Sequence, residues 1–241
     1  MSVLSVKNLS RRFGAITVAD NLSFDVAHGE CLGIIGPNGA GKTTVFNMLA
    51  GNVKPQAGTI TLDGRDITAF SAHARTLAGL GRTYQVPQPF GKLTTFENVF
   101  AAAAFGGRAG HKAADRAREV LERTGLAARA DKVAGSLPLL DRKRLELARA
   151  MALEPRLLLL DEIAGGLTEA EVNELVALIR ELKPGVAMVW IEHVNHALSA
   201  VADRILAINF GAEIAMAPPA AVMRDPAVLE IYMGAVIDAP A

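Results

Sequence analysis

Residues 36–44 read Gly36-Pro37-Asn38-Gly39-Ala40-Gly41-Lys42-Thr43-Thr44, and this segment determines which fold we expect. It fits the pattern G-x-x-x-x-G-K-S/T of phosphate-binding loops. The apolar run Cys31–Ile35 before it predicts a buried strand, and residues 44–50 after it predict a helix that ends at Gly51. Small residues let backbone N–H groups close around a polyphosphate, and the helix N-terminus adds partial positive charge. We therefore predict a loop that binds a nucleotide, rather than a glycine-rich turn that binds nothing.

Two side chains of this loop and two carboxylates further along the chain have predicted roles. Lys42 is expected to reach the β- and γ-phosphates, and the Thr43 hydroxyl is expected to ligate Mg²⁺. Residues 157–162 read Leu-Leu-Leu-Leu-Asp-Glu and predict a buried parallel strand, at whose C-terminal end ligands bind in open α/β sheets. Asp161 is predicted to hold Mg²⁺, directly or through water, and Glu162 to orient and polarise an attacking water. The alternative is a carboxylate pair that merely caps a strand.

Three further side chains are candidates for the same site. His193 follows the predicted strand 186–191, where it could hydrogen-bond the γ-phosphate or the attacking water, although a lone histidine is usually structural. Gln85 ends the predicted strand 80–85 and could contact Mg²⁺ or its water. Phe13 stands in a polar turn, where its ring could stack on an adenine or cover the edge of the core. The residue types alone leave the roles of Gln85 and Phe13 open.

The composition narrows the class of protein. The chain has 241 residues and a formal net charge of zero, which allows a sizeable core and predicts no nucleic-acid partner. The single cysteine, Cys31, lies in a predicted buried strand and is expected to be an inert thiol. No apolar run approaches the roughly 20 residues of a membrane span, and the N-terminus lacks the apolar segment of a signal peptide. We therefore expect a soluble, cytosolic chain that can still dock on a membrane protein.

The order of predicted elements indicates an α/β domain that is interrupted by helices. Residues 3–9 and 16–26 alternate like two strands of an antiparallel flank, and residues 58–64 predict a strand that ends in an Asp-Gly turn. Residues 204–210 and 213–216 predict the closing strands of the sheet.

Residues 90–150 have helical character. A capping box of Thr94 and Glu97 predicts the first helix, and residues 112–124 and 142–153 predict two more. Such a block between α/β segments suggests an inserted subdomain. We therefore predict a single domain over residues 1–241, with an α/β core formed by 1–89 and 151–241 and a helical subdomain formed by 90–150.

These motifs together resemble the nucleotide-binding subunit of an ATP-binding cassette transporter, along nearly the whole chain. The resemblance implies a P-loop NTPase core of RecA-like fold with an antiparallel β flank and an inserted α-helical subdomain. It also implies ATP and Mg²⁺ as cofactors. By this resemblance, residues 36–43 form the Walker A loop, and residues 157–162 form the Walker B strand with the catalytic glutamate. Gln85 is the Q-loop glutamine, His193 is the switch histidine and Phe13 is the adenine-stacking aromatic.

Within that family, the chain is similar to the subunits of branched-chain amino-acid importers. The stretches that carry this similarity are 81–85, 144–150, 191–193 and 225–234, and the C-terminal segment of this type covers about 213–236. The resemblance implies two such subunits packed head to tail, with ATP between the Walker loop of one and the signature loop of the other.

The chain departs from the family pattern in three places. The signature, Leu-Ser-Gly-Gly-Gln or Leu-Ser-Tyr-Gly-Gln, should precede Arg142, where this chain reads Ser136-Leu137-Pro138-Leu139-Leu140-Asp141. The signature serine and glycine are absent and Pro138 lacks an N–H, although a one-turn rearrangement could present the hydroxyl of Ser136. In addition, Ile163 replaces the usual proline, and Thr168-Glu169 stands where the family often has Asn-Pro or Asp-Pro.

The leading hypothesis is an ATPase subunit that powers import of an amino acid or a related small polar or organic solute. It implies two transmembrane permease subunits, a periplasmic or extracellular solute-binding protein, and a peripheral location at the cytoplasmic face of the bacterial inner membrane. The altered signature favours a heterodimer with a second cassette subunit over a homodimer. One alternative is a catalytically weak regulatory subunit of such a transporter. Another is a soluble cassette ATPase of DNA repair or translation, against which the lack of long insertions and of a basic excess argues.

Overall fold

The computed structural model describes residues 2–107 and 109–237 of the chain. In these residues the strands are β1 Ser2–Phe13, β2 Ile16–Ala27, β3 Cys31–Ile35, β4 Ala57–Leu62, β5 Arg65–Asp66, β6 Leu80–Arg82, β7 Leu157–Asp161, β8 Ala187–Ile191, β9 Arg204–Asn209 and β10 Ala212–Ala217. The helices are α1 Lys42–Ala50, α2 Ala72–Leu77, α3 Thr95–Phe105, α4 His111–Arg123, α5 Leu139–Ala152, α6 Glu169–Leu182, α7 Asn195–Val201, α8 Pro219–Val222 and α9 Pro226–Ile237.

The larger sheet brings the C-terminal ends of its central strands to one edge. Among the described residues its strand order is β10-β9-β3-β8-β7-β6, and all neighbouring pairs except β10 with β9 are parallel. Every residue of β3, β7 and β8 is buried, because apolar side chains pack on both faces of the sheet. Cys31 in β3 is buried as predicted, and burial raises the pKa of its thiol to about 12, which disfavours the reactive thiolate.

The smaller sheet is the antiparallel flank that the sequence predicted. Its strand order is β2-β1-β4-β5. Leu4 and Val6 of β1 lie on one face of the strand, and a register shift between Val6 and Leu9 brings Leu9 into the same core, which also contains residues of α1. The predicted strand at 58–64 is observed as β4, and the turn at Asp63-Gly64 leads into β5.

Helices α3, α4 and α5 pack against one another in the predicted helical stretch. The capping box is present, because Glu97 N donates to Thr94 Oγ1 at 3.1 Å and Thr94 N donates to Glu97 Oε2 at 2.7 Å. The predicted helix 112–124 is confirmed as α4, with its boundaries shifted by one residue.

Helix α5 begins three residues earlier than the sequence predicted. It starts at Leu139 instead of Arg142, with Pro138 as its N-cap. The fixed φ of a proline suits the start of a helix, and the carboxylate of Asp141 in the first turn is favoured by the helix dipole. Residues 139–141, which we predicted as part of a loop, are therefore helical.

Strand β6 is shorter than predicted and ends at Arg82 instead of Gln85. The hydroxyl of Thr83 accepts a hydrogen bond from Asp161 N at 3.3 Å, so a side chain takes the place of a backbone partner there. Pro87 and Pro89 follow, and proline cannot donate to a strand ladder. Gln85 therefore lies on a loop.

Three helices of the described residues, α2, α7 and α8, were not predicted from the sequence. Helix α2 follows Ser71, whose hydroxyl accepts from Ala74 N, and its buried Arg75 donates to the carbonyls of Met48 and Leu49 at the end of α1. Helix α7 follows the loop that carries His193. All three are shorter than eight residues, so they give little periodic signal.

The end of the described chain agrees with the sequence analysis. Strands β9 and β10 form the predicted closing hairpin. Asp225 caps α9, because its Oδ1 accepts from Ala227 N at 2.9 Å. The sequence also predicts a loose tail at 238–241, and these residues lie outside those that the structure describes. Of the helices described, none has the length and apolar character needed to cross a bilayer.

Candidate nucleotide-binding and hydrolysis site

Two glycines shape the loop between β3 and α1. Gly41 is the N-cap of α1 and has a left-handed backbone with φ of +105°. A Cβ atom at Gly41 would lie 2.1 Å from Val18 O, and one at Gly36 would lie 2.3 Å from Ile208 O. A larger residue would therefore push the loop off strands β2 and β9. The glycines allow the close approach that leaves the N–H groups of the first turn of α1 free for a ligand.

A cavity of about 350 Å³ adjoins this loop. Residues 38–44 line it, together with Ile16 and Val18 of β2 and with Glu162 and His193. The apolar contribution of Ile16 and Val18 was missed in the sequence analysis, although their alternation in β2 could have indicated one shared face. The cavity therefore combines a phosphate-binding loop, an apolar wall and two of the predicted catalytic side chains.

Lys42 lies back on the loop that carries it. Its Nζ donates to Gly36 O at 2.7 Å and to Pro37 O at 3.0 Å. Burial lowers the pKa of Lys42, and the nearby Glu162 carboxylate opposes that shift. Neutral carbonyls are weak partners for a buried ammonium group, so a polyphosphate would be a stronger one.

Asp161, at the end of β7, is held by an arginine. Its Oδ2 accepts from Arg82 Nη2 at 2.8 Å, and Arg82 Nη1 also donates to Asn47 Oδ1 of α1 at 2.9 Å. Glu162 belongs to the described lining of the cavity, whereas Asp161 does not. Arg82 precedes the predicted Q-loop glutamine by three residues, and its role was not predicted from the sequence.

Glu162 brings the three predicted catalytic side chains together. Its Oε2 accepts a hydrogen bond from Gln85 Nε2, and its Oε1 lies 3.0 Å from His193 Nε2, which donates to it when that nitrogen is protonated. Glu162 has a left-handed backbone with φ of +46°, a conformation that costs on the order of 1–3 kcal/mol in a non-glycine residue. The backbone bond from Glu162 N to Ile191 O at 2.9 Å helps to fix this conformation.

Two buried charged residues near Glu162 were missed from the sequence. Glu192 accepts from Ala164 N and from His193 N, both at 2.9 Å, and so joins the loops that follow β7 and β8. Lys143 of α5 is only 3% exposed, and its Nζ donates to Gln85 O at 2.6 Å. Lys143 lies three residues after Leu140 and four before Leu147, so it stands on the apolar face of the helix. That position could have indicated a buried lysine from the sequence.

Phe13 lies beside the cavity instead of in its described lining. It pairs with Ile16 at the end of the β1–β2 hairpin, and the residue is 45% exposed. The guanidinium group of Arg11 lies 4.5 Å from the ring centroid. Stacking of Phe13 on an adenine stays a prediction.

The predicted signature residues, 136–141, lie at the start of α5 and not in the described lining of this chain's cavity. Ser136 Oγ donates to Val133 O at 2.8 Å, and Leu137 is buried. Asp141 lies 3.4 Å from Arg129 and 3.6 Å from Arg144, so its charge is already compensated. Leu139 packs near the backbone of Gly166.

Comparison with known proteins places this architecture in a family. The model of the ABC transporter family matches residues 19–165. The chain is 37% identical to the high-affinity branched-chain amino acid transport ATP-binding protein LivG of Salmonella typhimurium, over 96% of this chain and 98% of that protein. It is 34% identical to the lipopolysaccharide export system ATP-binding protein LptB of Acidithiobacillus ferridurans, over 96% of this chain and 97% of that protein.

Solved structures agree with the sequence comparisons. A crystal structure of the ADP conformation of an ATP-binding cassette of an ABC transporter matches with a TM-score of 0.88 and 28% identity, over 97% of this chain and 99% of that one. The predicted P-loop NTPase fold and the predicted class of enzyme are thereby confirmed. The chain belongs to the ABC transporter family, as an ATP-binding subunit that hydrolyses ATP.

Proposed function

We propose that this subunit powers the import of an amino acid or a related small polar or organic solute. The observation that carries the proposal is the meeting of Gln85, Glu162 and His193 at the cavity of a phosphate-binding loop. The similarity to LivG and to BraF of Pseudomonas aeruginosa, which are named for branched-chain amino acid transport, supports this class of solute. The presence of Glu162 and His193 argues against a catalytically weak regulatory subunit.

In the proposed mechanism, Lys42 leaves the carbonyls of Gly36 and Pro37 and holds the β- and γ-phosphates of ATP. Glu162 accepts a proton from the water that attacks the γ-phosphorus atom. Gln85 and His193 orient Glu162, because both contact its carboxylate oxygens. The bond between the γ-phosphorus and the β–γ bridging oxygen then breaks and yields ADP and phosphate.

The residues around the site also suit Mg²⁺ as the proposed cofactor. The hydroxyl of Thr43, the carboxylate of Asp161 and the amide oxygen of Gln85 are hard oxygen ligands of the kind that Mg²⁺ prefers. The cation would supply neutralisation of the charge on the β- and γ-phosphates. Gln85 donates to Glu162 through its amide nitrogen, so its amide oxygen is the atom it would offer to the cation.

The proposed assembly contains a second cassette subunit and two membrane permease subunits at the cytoplasmic face of the inner membrane. A solute-binding protein outside the membrane would deliver the solute. A heterodimer is favoured, because residues 137–141 lack the serine and glycine of the usual signature. In the proposed division of the chain, residues 90–150 form the helical subdomain and the rest forms the α/β core.

The test of ATP binding is calorimetry of the full chain and of Lys42→Ala. Charge-assisted hydrogen bonds are worth about 1.5–3 kcal/mol each, so the affinity for ATP should fall at least about tenfold. The control is Lys54→Ala, which removes an exposed lysine outside the described lining of the cavity and should leave the affinity unchanged. Equal affinity in wild type and Lys42→Ala would refute the assignment of the loop.

A further inference from the structure

One face of α5 holds the loop that carries Gln85. Lys143, Glu146 and Arg149 follow one another at intervals of three residues, which places them on one side of the helix. Lys143 Nζ donates to Gln85 O at 2.6 Å, and Glu146 Oε1 accepts from Gln88 N at 2.7 Å. Arg149 Nη1 donates to Gln88 O at 2.8 Å. The loop is thus attached to α5 through its backbone and at both ends of residues 85–88.

Lys143 differs from the other two residues because it also reaches the second catalytic loop. Its Nζ lies 3.5 Å from Glu162 O, while Glu162 receives the side chain of Gln85 on its carboxylate. Gln85 and Glu162 are therefore joined twice. Their side chains form one connection, and the ammonium group of Lys143, which lies between their backbone carbonyls, forms the other.

The surroundings of Lys143 are unusual for a lysine. It is 3% exposed, and Glu146 and Glu192, both near it, are 4% and 2% exposed. Burial lowers the pKa of Lys143, whereas the carboxylates of Glu192, Glu162 and Glu146 oppose this shift. A buried ammonium group is costly unless hydrogen bonds and opposite charge compensate it. Here two backbone carbonyls accept from Lys143, and three carboxylates act on it through the field of their charge.

We propose that Lys143 is a positioning residue for ATP hydrolysis, which fixes the backbones of Gln85 and Glu162 relative to each other and links both to helix α5. The inference rests on the proposed roles of Gln85 and Glu162. It adds a direct connection between the start of the helix that carries the altered signature and the backbone of the residue whose carboxylate is proposed to activate water. A displacement of α5 would pull on both catalytic loops through one side chain.

A purely structural role for Lys143 makes a different prediction. If it only satisfied buried carbonyls, its loss would lower the stability of the chain, while the turnover of each folded molecule would stay the same. A positioning role predicts a loss in kcat at nearly unchanged ATP affinity. The reason is that the described hydrogen bonds of Lys143 go to Gln85 O and Glu162 O, and not to residues 38–44 of the phosphate-binding loop.

The experiment compares Lys143→Met, Lys143→Arg and the control Lys183→Met in the full chain, and turnover is measured with a cassette subunit that bears the usual Leu-Ser-Gly-Gly-Gln signature. Lys183 is a matched control, because it also joins a carbonyl to a carboxylate, at Val201 O and Asp203, but away from the cavity. Misplacement of catalytic groups by about 1 Å can cost roughly 100-fold in rate, so Lys143→Met should lower kcat by 10- to 100-fold. Its affinity for ATP should stay within about twofold, since the contacts of Lys42 remain.

Two further results are expected. Lys143→Arg, which keeps the charge and the donors, should recover most of the turnover. Hydrogen exchange of Lys143→Met should speed up at residues 85–88 and 163–165 together, relative to Lys183→Met.

Wild-type turnover by Lys143→Met, corrected for the folded fraction, would overturn the role of Lys143 and leave the proposed function intact. So would exchange that speeds up evenly over the whole chain. Failure of the wild-type chain to bind ATP, or to turn it over when paired with a cassette that bears the usual Leu-Ser-Gly-Gly-Gln signature, would instead refute the proposed function.

Discussion

Arg82 donates to Asp161 at 2.8 Å, and the two side chains are only 11% and 12% exposed. The same guanidinium group donates to Asn47 in α1 and lies 5.1 Å from the ring centroid of Tyr84. Arg82 thus compensates the charge of the carboxylate that is proposed to hold Mg²⁺, and it ties β6 and β7 to the helix of the phosphate-binding loop.

We predict that Arg82→Ala destabilises the chain by about 3 kcal/mol, because it leaves a buried carboxylate without its partner. The free energy of unfolding from urea titration measures this loss. The control is Arg156→Ala, which breaks the exposed pair of Arg156 with Asp63 and should cost less than about 1 kcal/mol. Equal losses in the two variants would contradict the importance of the Arg82 pair.

The sequence predicted most of the fold because its strongest signals are local. Apolar runs such as 157–161 and the capping box of Thr94 with Glu97 depend on neighbours in the chain, and the structure reproduces them. Gln85 was assigned to a strand because the pattern of 80–85 does not reveal that Thr83 replaces a backbone partner with its hydroxyl.

Within the site, motif spacing predicted Lys42, Glu162 and His193, whose side chains line the cavity. The spacing could not predict Arg82 or Lys143, because their partners lie 79 and 58 residues away in the chain. Such contacts depend on which strands become neighbours, and local periodicity carries no information about that order.

Glu162→Gln should abolish turnover while ATP binding remains. The amide keeps the shape of the side chain but cannot accept a proton, and general-base catalysis contributes roughly 100- to 10,000-fold. Phosphate release and ATP calorimetry measure the two effects. Glu181→Gln, at the exposed end of α6 and outside the described lining of the cavity, is the matched control and should behave like wild type.

A turnover of Glu162→Gln within a few-fold of wild type would move the base to another residue. His193 would then be the next candidate, because its Nε2 lies at the same carboxylate. The nucleotide-bound pair of subunits should accumulate in Glu162→Gln, and size-exclusion chromatography with ATP would detect it.

Phe90 presents an apolar ring at a second cavity of about 370 Å³, which lies between the Q-loop side and helices α3 and α5. Its backbone is fixed on both sides, because its N donates to Asn98 Oδ1 at 2.8 Å and its O accepts from Asn98 Nδ2 at 3.1 Å. The ring itself is part of a residue that is 51% exposed. An exposed aromatic on a fixed backbone suits a partner surface, and we expect the permease subunit to dock there.

Phe90→Asp should therefore impair solute uptake in cells while the purified chain still binds ATP. Leu77→Asp is the control, since Leu77 is 59% exposed and lies outside the described lining of this cavity. Full uptake by cells that carry Phe90→Asp would exclude this docking site.

The altered signature predicts unequal nucleotide sites. In a head-to-tail pair, each ATP needs the Walker loop of one chain and the signature of the other. In the usual signature, a serine hydroxyl and glycine N–H groups would donate to the γ-phosphate. Here Pro138 has no N–H, Leu139 and Leu140 occupy the first turn of α5, and Asp141 adds a carboxylate.

Loss of one such donor at a transition state costs on the order of 3 kcal/mol. A homodimer of this chain would carry that loss in both sites. A heterodimer with a cassette that bears Leu-Ser-Gly-Gly-Gln would keep one complete site, formed by Lys42, Glu162 and His193 of this chain and the signature of the partner. We therefore expect turnover at least 10-fold higher in the heterodimer than in the lone chain.

The measurement is ATP turnover of this chain alone, of the chain with such a cassette, and of the lone chain with Pro138→Ser and Leu139→Gly. The double variant restores a hydroxyl and a flexible backbone and leaves the buried Leu140 in place, so it should raise turnover of the lone chain. Equal, robust turnover by the unmodified lone chain would contradict unequal sites. It would point to Ser136, whose hydroxyl now donates to Val133 O and would have to move by about one helical turn to replace the missing serine.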